Sequence, residues 1–118
     1  MKSSVNILGT EYTLEVHKVS EDEYMQENKL AGYCDEENKL IVVADMSEKK
    51  YFDLDEKGQK LYKSKVLRHE IVHAFFNESG LSVNSNNVEA WAKNEEMVDW
   101  IAIQFPKMCK VFEEVGCL

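Results

Sequence analysis

Residues 67–76 read LRHEIVHAFF, so His69 and His73 stand four apart with Glu70 beside the first. In a helix, positions i and i+4 lie one above the other on one face. Two neutral imidazoles so placed can converge on one zinc ion at about 2.0–2.1 Å. Glu70 falls about 100° round the helix from His69, poorly aimed as a third ligand but well placed to reach a water on the metal. Two ligands plus a general base make the HExxH arrangement. A chain of this size contains that pattern by chance on the order of a few times in a thousand. The surrounding apolar residues imply a buried helix, in which unpaired polar groups would each cost about 1–3 kcal/mol unless a metal engaged them.

Zinc needs a third protein ligand and, for catalysis, an open fourth position. His17 is the one remaining histidine and lies far upstream, so the carboxylates of NEEMVDWIA at 94–102 are the candidates. A helical wheel puts Trp91, Glu95, Val98, Ala102 and Phe105 on one stripe with Glu95 as its single charge. A lone carboxylate in a core stripe needs a partner, which selects Glu95 as third ligand and leaves Glu96 as the fallback. Asp99, one turn further on, is placed to accept the other ring N–H of His69 and so fix its tautomer.

These residues need a scaffold. VNILGTEYTLEV alternates apolar and polar residues around Gly9-Thr10, which predicts a hairpin with strands near 4–8 and 11–17. Ser20 with Glu23 has the capping-box pattern for a short acidic helix. LAGYC and KLIVVA, joined by DEEN, read as a second antiparallel hairpin. Asp53 with Glu56 can open a helix that runs over 54–78 and stops at Gly80. A further helix is expected from Asn86 or Asn87, boxed by Glu89, to about Phe105, and a third from Pro106 to Gly116. The expected fold is α+β over 1–118 as one domain, a small antiparallel sheet packed on helices with the metal in the crevice between them.

Composition narrows the partners. The 118 residues carry a formal charge of −8. Such a surface repels phosphate backbones and anionic lipid, so neither nucleic acid nor membrane is the expected partner. No apolar run approaches the roughly 18–20 residues of a membrane span. Cys34, Cys109 and Cys117 are far apart with no CxxC pair. They read as reduced thiols, and the expected compartment is the cytoplasm.

HEIVH at 69–73 followed by EEMVD at 95–99 resembles the gluzincin metallopeptidases, whose pattern is HExxH with E-x-x-x-D or E-x-x-x-N on a later helix. That resemblance implies His69, His73 and Glu95 as zinc ligands, Glu70 as base and Asp99 behind a ligand. Within the group the chain looks most like the small ImmA/IrrE-type peptidases and phage-encoded zinc peptidases, over roughly residues 30–106. The fold implied is zincin-like, and the activity implied is zinc-dependent hydrolysis of peptide bonds in a protein or peptide substrate, including a regulatory protein. By the same resemblance the strand over 39–44 forms the cleft edge for an extended substrate. Two departures stand out: no further domain for partner recognition, and no His or Tyr after Glu95 to act as a second electrophile. Tyr33, Tyr51, Tyr62 and His17 are alternative oxyanion helpers with nothing to choose between them. Two other readings use the same zinc ligands: a non-catalytic zinc-scaffold binding module, and a closed structural site with Cys34 as fourth ligand. The sequence leaves the oligomeric state open.

Overall fold

The computed structural model of the chain describes residues 3–83 and 95–118, apart from the side chains of Glu95, Val98, Asp99 and Ala102. Strands β1 (Ser4–Ile7) and β2 (Thr10–His17) form the first hairpin. Its turn is Leu8-Gly9, both at positive φ (51° and 96°), one residue earlier than expected. The shift has a cause: pairing Ile7 with Thr10 sets Val5 opposite Tyr12 and keeps Val5, Ile7, Tyr12 and Leu14 on one buried face. The Asn6 side chain accepts the Gly9 N–H at 2.8 Å and holds the turn.

Helix α1 (Glu23–Asn28) follows a single 3-10 turn at Val19–Glu21. Its N-cap is Asp22, which accepts the Met25 N–H, and not Ser20, which the 3-10 turn absorbs. Strands β3 (Gly32–Asp35) and β4 (Leu40–Ala44) pair antiparallel as expected. The two hairpins join through a parallel ladder between β2 and β4, giving the order β1-β2-β4-β3. The sheet is therefore mixed, where a purely antiparallel one was expected. Residues 18–39 supply the long crossover that a parallel pair requires. β4 is consequently interior and β3 is the edge strand, which reverses the expectation that 39–44 lines a cleft edge.

Helix α2 (Glu56–Ser79) is capped by Asp55, which accepts the Gly58 N–H at 2.7 Å, and ends at Gly80 in the left-handed conformation. It packs Leu67, Ile71, Ala74 and Phe75 against Val5, Ile7, Tyr12, Leu14 and Ile41 of the sheet. The two helices expected on either side of Pro106 are one, α3 (Glu95–Val115). A proline inside a helix costs about 3 kcal/mol, and here Met108, Val111, Phe112 and Val115 bury themselves in the core beyond it, which holds the axis together. The expected caps at Asn86, Asn87 and Glu89 lie outside the described residues. α1 covers the opposite sheet face through Met25, packed with Val42 and Tyr33. Among the described residues no helix is long and apolar enough to cross a membrane, and no two cysteines are bonded.

On that second face His17 sits between two carboxylates, Nδ1 at 2.6 Å from Asp22 and Nε2 at 2.7 Å from Glu15, while Tyr33 donates its hydroxyl to Asp22. Desolvation opposes the imidazolium, but the hydrogen bonds and charges of Asp22 and Glu15 outweigh it and raise the His17 pKa. Burial likewise opposes ionised Asp22, and its bonds to His17, the Met25 N–H and Tyr33 outweigh that and lower its pKa. Stability from raised His17 is fully present below about pH 6.5 and lost as pH rises through the folded value. Stability from lowered Asp22 is present above about pH 3.9 and lost on acidification. The melting temperature should thus fall as pH rises above about 6.5, and His17→Gln should remove that fall. A variant that keeps the same pH profile from 5 to 9 would overturn the clasp.

Candidate metal centre

α2 is one-sided, not buried all round. Glu70 is buried at 7% exposure, whereas His69 and His73 are exposed. The expectation that both imidazoles sit in apolar surroundings is therefore corrected: the carboxylate takes the buried place and the rings face outward. The sidedness follows from helical period. Leu67, Ile71, Ala74 and Phe75 claim the sheet, and Glu70 lies on the flank beside them, toward β3. His73 and then His69 follow further round that same flank, where the helix overhangs the edge strand.

The rings converge. Nε2 of His73 lies 3.1 Å from Nε2 of His69, with the ring planes at 70°. Two nitrogens bound tetrahedrally to zinc at about 2.0–2.1 Å stand about 3.3–3.4 Å apart. A few tenths of an ångström of χ adjustment convert the observed pair into a two-nitrogen bite, so these two side chains fit the metal. Burial lowers the His73 pKa, and the charge of His69 lowers it further. Both effects favour the neutral imidazole that a metal requires.

Glu70 is held in place from the strand below. Gly32 lies so close under α2 that a methyl group there would stand 2.6 Å from Val66 Cγ1, 2.8 Å from the Val42 carbonyl oxygen and 3.4 Å from Glu70 Cγ. Burial alone pushes the Glu70 carboxyl up to about 7. Cys34, two residues along β3, accepts a hydrogen bond from Asn77 Nδ2 at 3.6 Å. Burial first, then the Glu70 charge, pushes its thiol up to about 12, which favours the thiol over the thiolate a closed zinc site would use.

The remaining candidates are distributed as follows. Glu95 and Asp99 belong to the first turns of α3, and their side chains lie outside the described residues. Glu96 is exposed. The stripe that favoured Glu95 over Glu96 was expected to be core, yet its described member Phe105 is 51% exposed. The buried residues of α3 are instead Met108, Val111, Phe112 and Val115, while Trp100 packs edge-on against Phe75 and Phe76. Among the described residues no group of three metal-binding side chains assembles. Tyr33 and His17 are committed to Asp22 on the far sheet face, away from α2, so neither serves as an oxyanion helper there. Sequence reasoning also missed Gly32; its signal was a lone glycine within an apolar strand. Comparison with protein-family models, curated proteins and solved structures finds no match for this chain.

Two measurements test the centre. Chain purified without chelator should carry about one zinc, and His73→Ala should lose it; equal metal in both would remove the assignment. In the same assay Glu95→Ala should weaken binding by orders of magnitude and Glu96→Ala should not, the reverse moving the ligand by one residue. Separately, Gly32→Ala should destabilise the fold by about 1–3 kcal/mol in urea titration, because overpacking forces α2 off β3. A neutral result there would contradict the close approach.

Proposed function

We propose that the chain is a zinc-dependent metallopeptidase, zincin-like in arrangement, that hydrolyses peptide bonds in a protein substrate and belongs with phage or mobile-element peptidases. The observation that carries this reading is a pair of convergent imidazoles, Nε2 atoms 3.1 Å apart, on the same helix as a buried carboxyl held near pH 7. A structural site has no use for that carboxyl. A general base at neutral pH does, because proton transfer is most effective when the catalytic pKa lies near the working pH.

His69 and His73 would hold the ion, with the Glu95 carboxylate as third ligand by the resemblance described above. When bound, zinc would polarise the substrate carbonyl and lower the pKa of a water from about 15.7 toward 7. Glu70 would take one proton from the attacking water as its oxygen adds to the peptide carbon. It then returns the proton to the amide nitrogen as the C–N bond breaks, leaving a carboxylic acid and an amine. Its burial favours the neutral form, which makes taking the proton easier, and a pKa near neutrality still permits the return donation. By the same resemblance Asp99 would accept the other ring N–H of His69 and so set the ring that faces the metal.

Glu70→Gln keeps shape and removes proton transfer. Zinc content and melting temperature should stay within error of wild type while cleavage of co-expressed regulatory proteins or unfolded peptides falls by about 10²-fold or more. If both proteins bind the same partner and neither cuts it, the chain is instead a zinc-scaffold binding module.

A further inference from the structure

Three features line up along the outer edge of the sheet. First, β3 is an edge strand, and among the described residues no strand pairs with its outer side. Its backbone N–H and C=O groups there are a template for another extended chain. Second, where β3 begins, a groove of about 610 Å³ opens, lined chiefly by Val19, Met25, Leu30, Phe52, Leu54 and Tyr62. Third, where β3 ends, the turn to β4 carries Asp35, Glu36 and Glu37. The one cation of that turn, Lys39, is already paired with Glu78 at 2.7 Å, and among the described residues neither Glu36 nor Glu37 makes a salt bridge.

α2 runs alongside in the same sense. Tyr62 lines the groove, Val66 and Glu70 lie over Gly32, Asn77 meets Cys34, and Glu78 meets Lys39 at the turn. His69 and His73 fall midway, on the flank that overhangs β3. Tyr62 and His69 are two turns apart, about 10 Å along the axis, or about three residues of extended chain.

We infer that the chain selects an extended peptide bearing a bulky apolar side chain at one end and a basic side chain about five residues away, with the reacting bond between them. The apolar side chain fills the groove at Tyr62. The basic one meets Glu36 and Glu37, and the intervening backbone pairs with β3 beneath the imidazoles. Charge complementarity selects this occupant over a neutral or acidic one: the turn has unpaired carboxylates at one end of the track, and the chain as a whole is at −8. The inference rests on the peptidase reading for where the bond is cut, but its recognition half can be read without catalysis.

The test uses fluorescent ten-residue peptides with Phe and Lys separated by four residues, titrated into zinc-loaded Glu70→Gln by anisotropy. Replacing Phe by Ser should weaken binding by roughly 10-fold or more, and replacing Lys by Glu by roughly 5-fold. The Glu36→Lys, Glu37→Lys double variant, on an exposed turn, should reverse the Lys/Glu preference. Leu54→Arg should abolish the Phe preference and leave the charge preference intact. Equal binding of all peptides, a charge preference that the double variant fails to reverse, or no binding at millimolar peptide would overturn the inference. Selective binding by a wild type that does not cut would remove the peptidase reading and leave the recognition track standing.

Discussion

The contact between Gly32 and the Val66–Glu70 turn of α2 governs the rest of the arrangement. A helix normally stands about 10 Å from a sheet, a distance set by the side chains between them. Removing one side chain from the strand lets α2 settle over β3 at that single point. Glu70 is thereby trapped against the strand, and its carboxyl loses water on that side. The raised pKa follows from burial, its one cause. The next residues round the helix, His73 and His69, are exposed, so three polar residues of one helix divide into a buried acid and two open imidazoles.

The far end and the middle of α2 are tied to the rest of the fold, while Asp55 caps its start through the Gly58 N–H. At the far end Glu78 accepts from Thr10 and Tyr12 of β2 and from Lys39 of the β3–β4 turn, drawing two hydroxyls and an ammonium to one carboxylate. Those bonds hold Glu78 below the usual carboxylate range, with Lys39 the largest contributor. Arg68 donates to the Cys117 carbonyl and locks the middle of α2 to the segment after α3. Tension between a precise site and a loose helix is avoided by anchoring at two separate points.

How much of this was legible depends on the range of the physics involved. HExxH is legible because i and i+4 spacing is covalent, and the convergence of the two rings needs only a helix. Both hairpins are legible from alternation, although the first slipped by one residue because Leu8 accepts a positive φ that sequence reasoning assigned to glycine alone. The N-cap at Asp22 was hidden by a competing pattern at Ser20, since both precede an acidic first turn. Which strands pair is a long-range matter, so the parallel β2–β4 ladder left no mark in the local pattern. The merging of two helices across Pro106 is similar, because the packing of Met108 and Phe112 that carries it is tertiary. The burial of Glu70 and the exposure of the histidines depend on a glycine 38 positions upstream of the carboxylate.

The parallel ladder has a consequence for how the chain reaches its native state. The hairpins β1–β2 and β3–β4 close over short separations and can form within microseconds, independently of one another. Thr13 meets Leu40 and His17 meets Ala44 only after residues 18–39 have been ordered, an entropic cost met before any reward. Docking of two preformed ribbons, and not growth of a sheet strand by strand, is therefore the natural rate-limiting event. α2 emerges after both ribbons in sequence, so the carboxylate and its imidazoles receive their geometry last, on a platform already assembled.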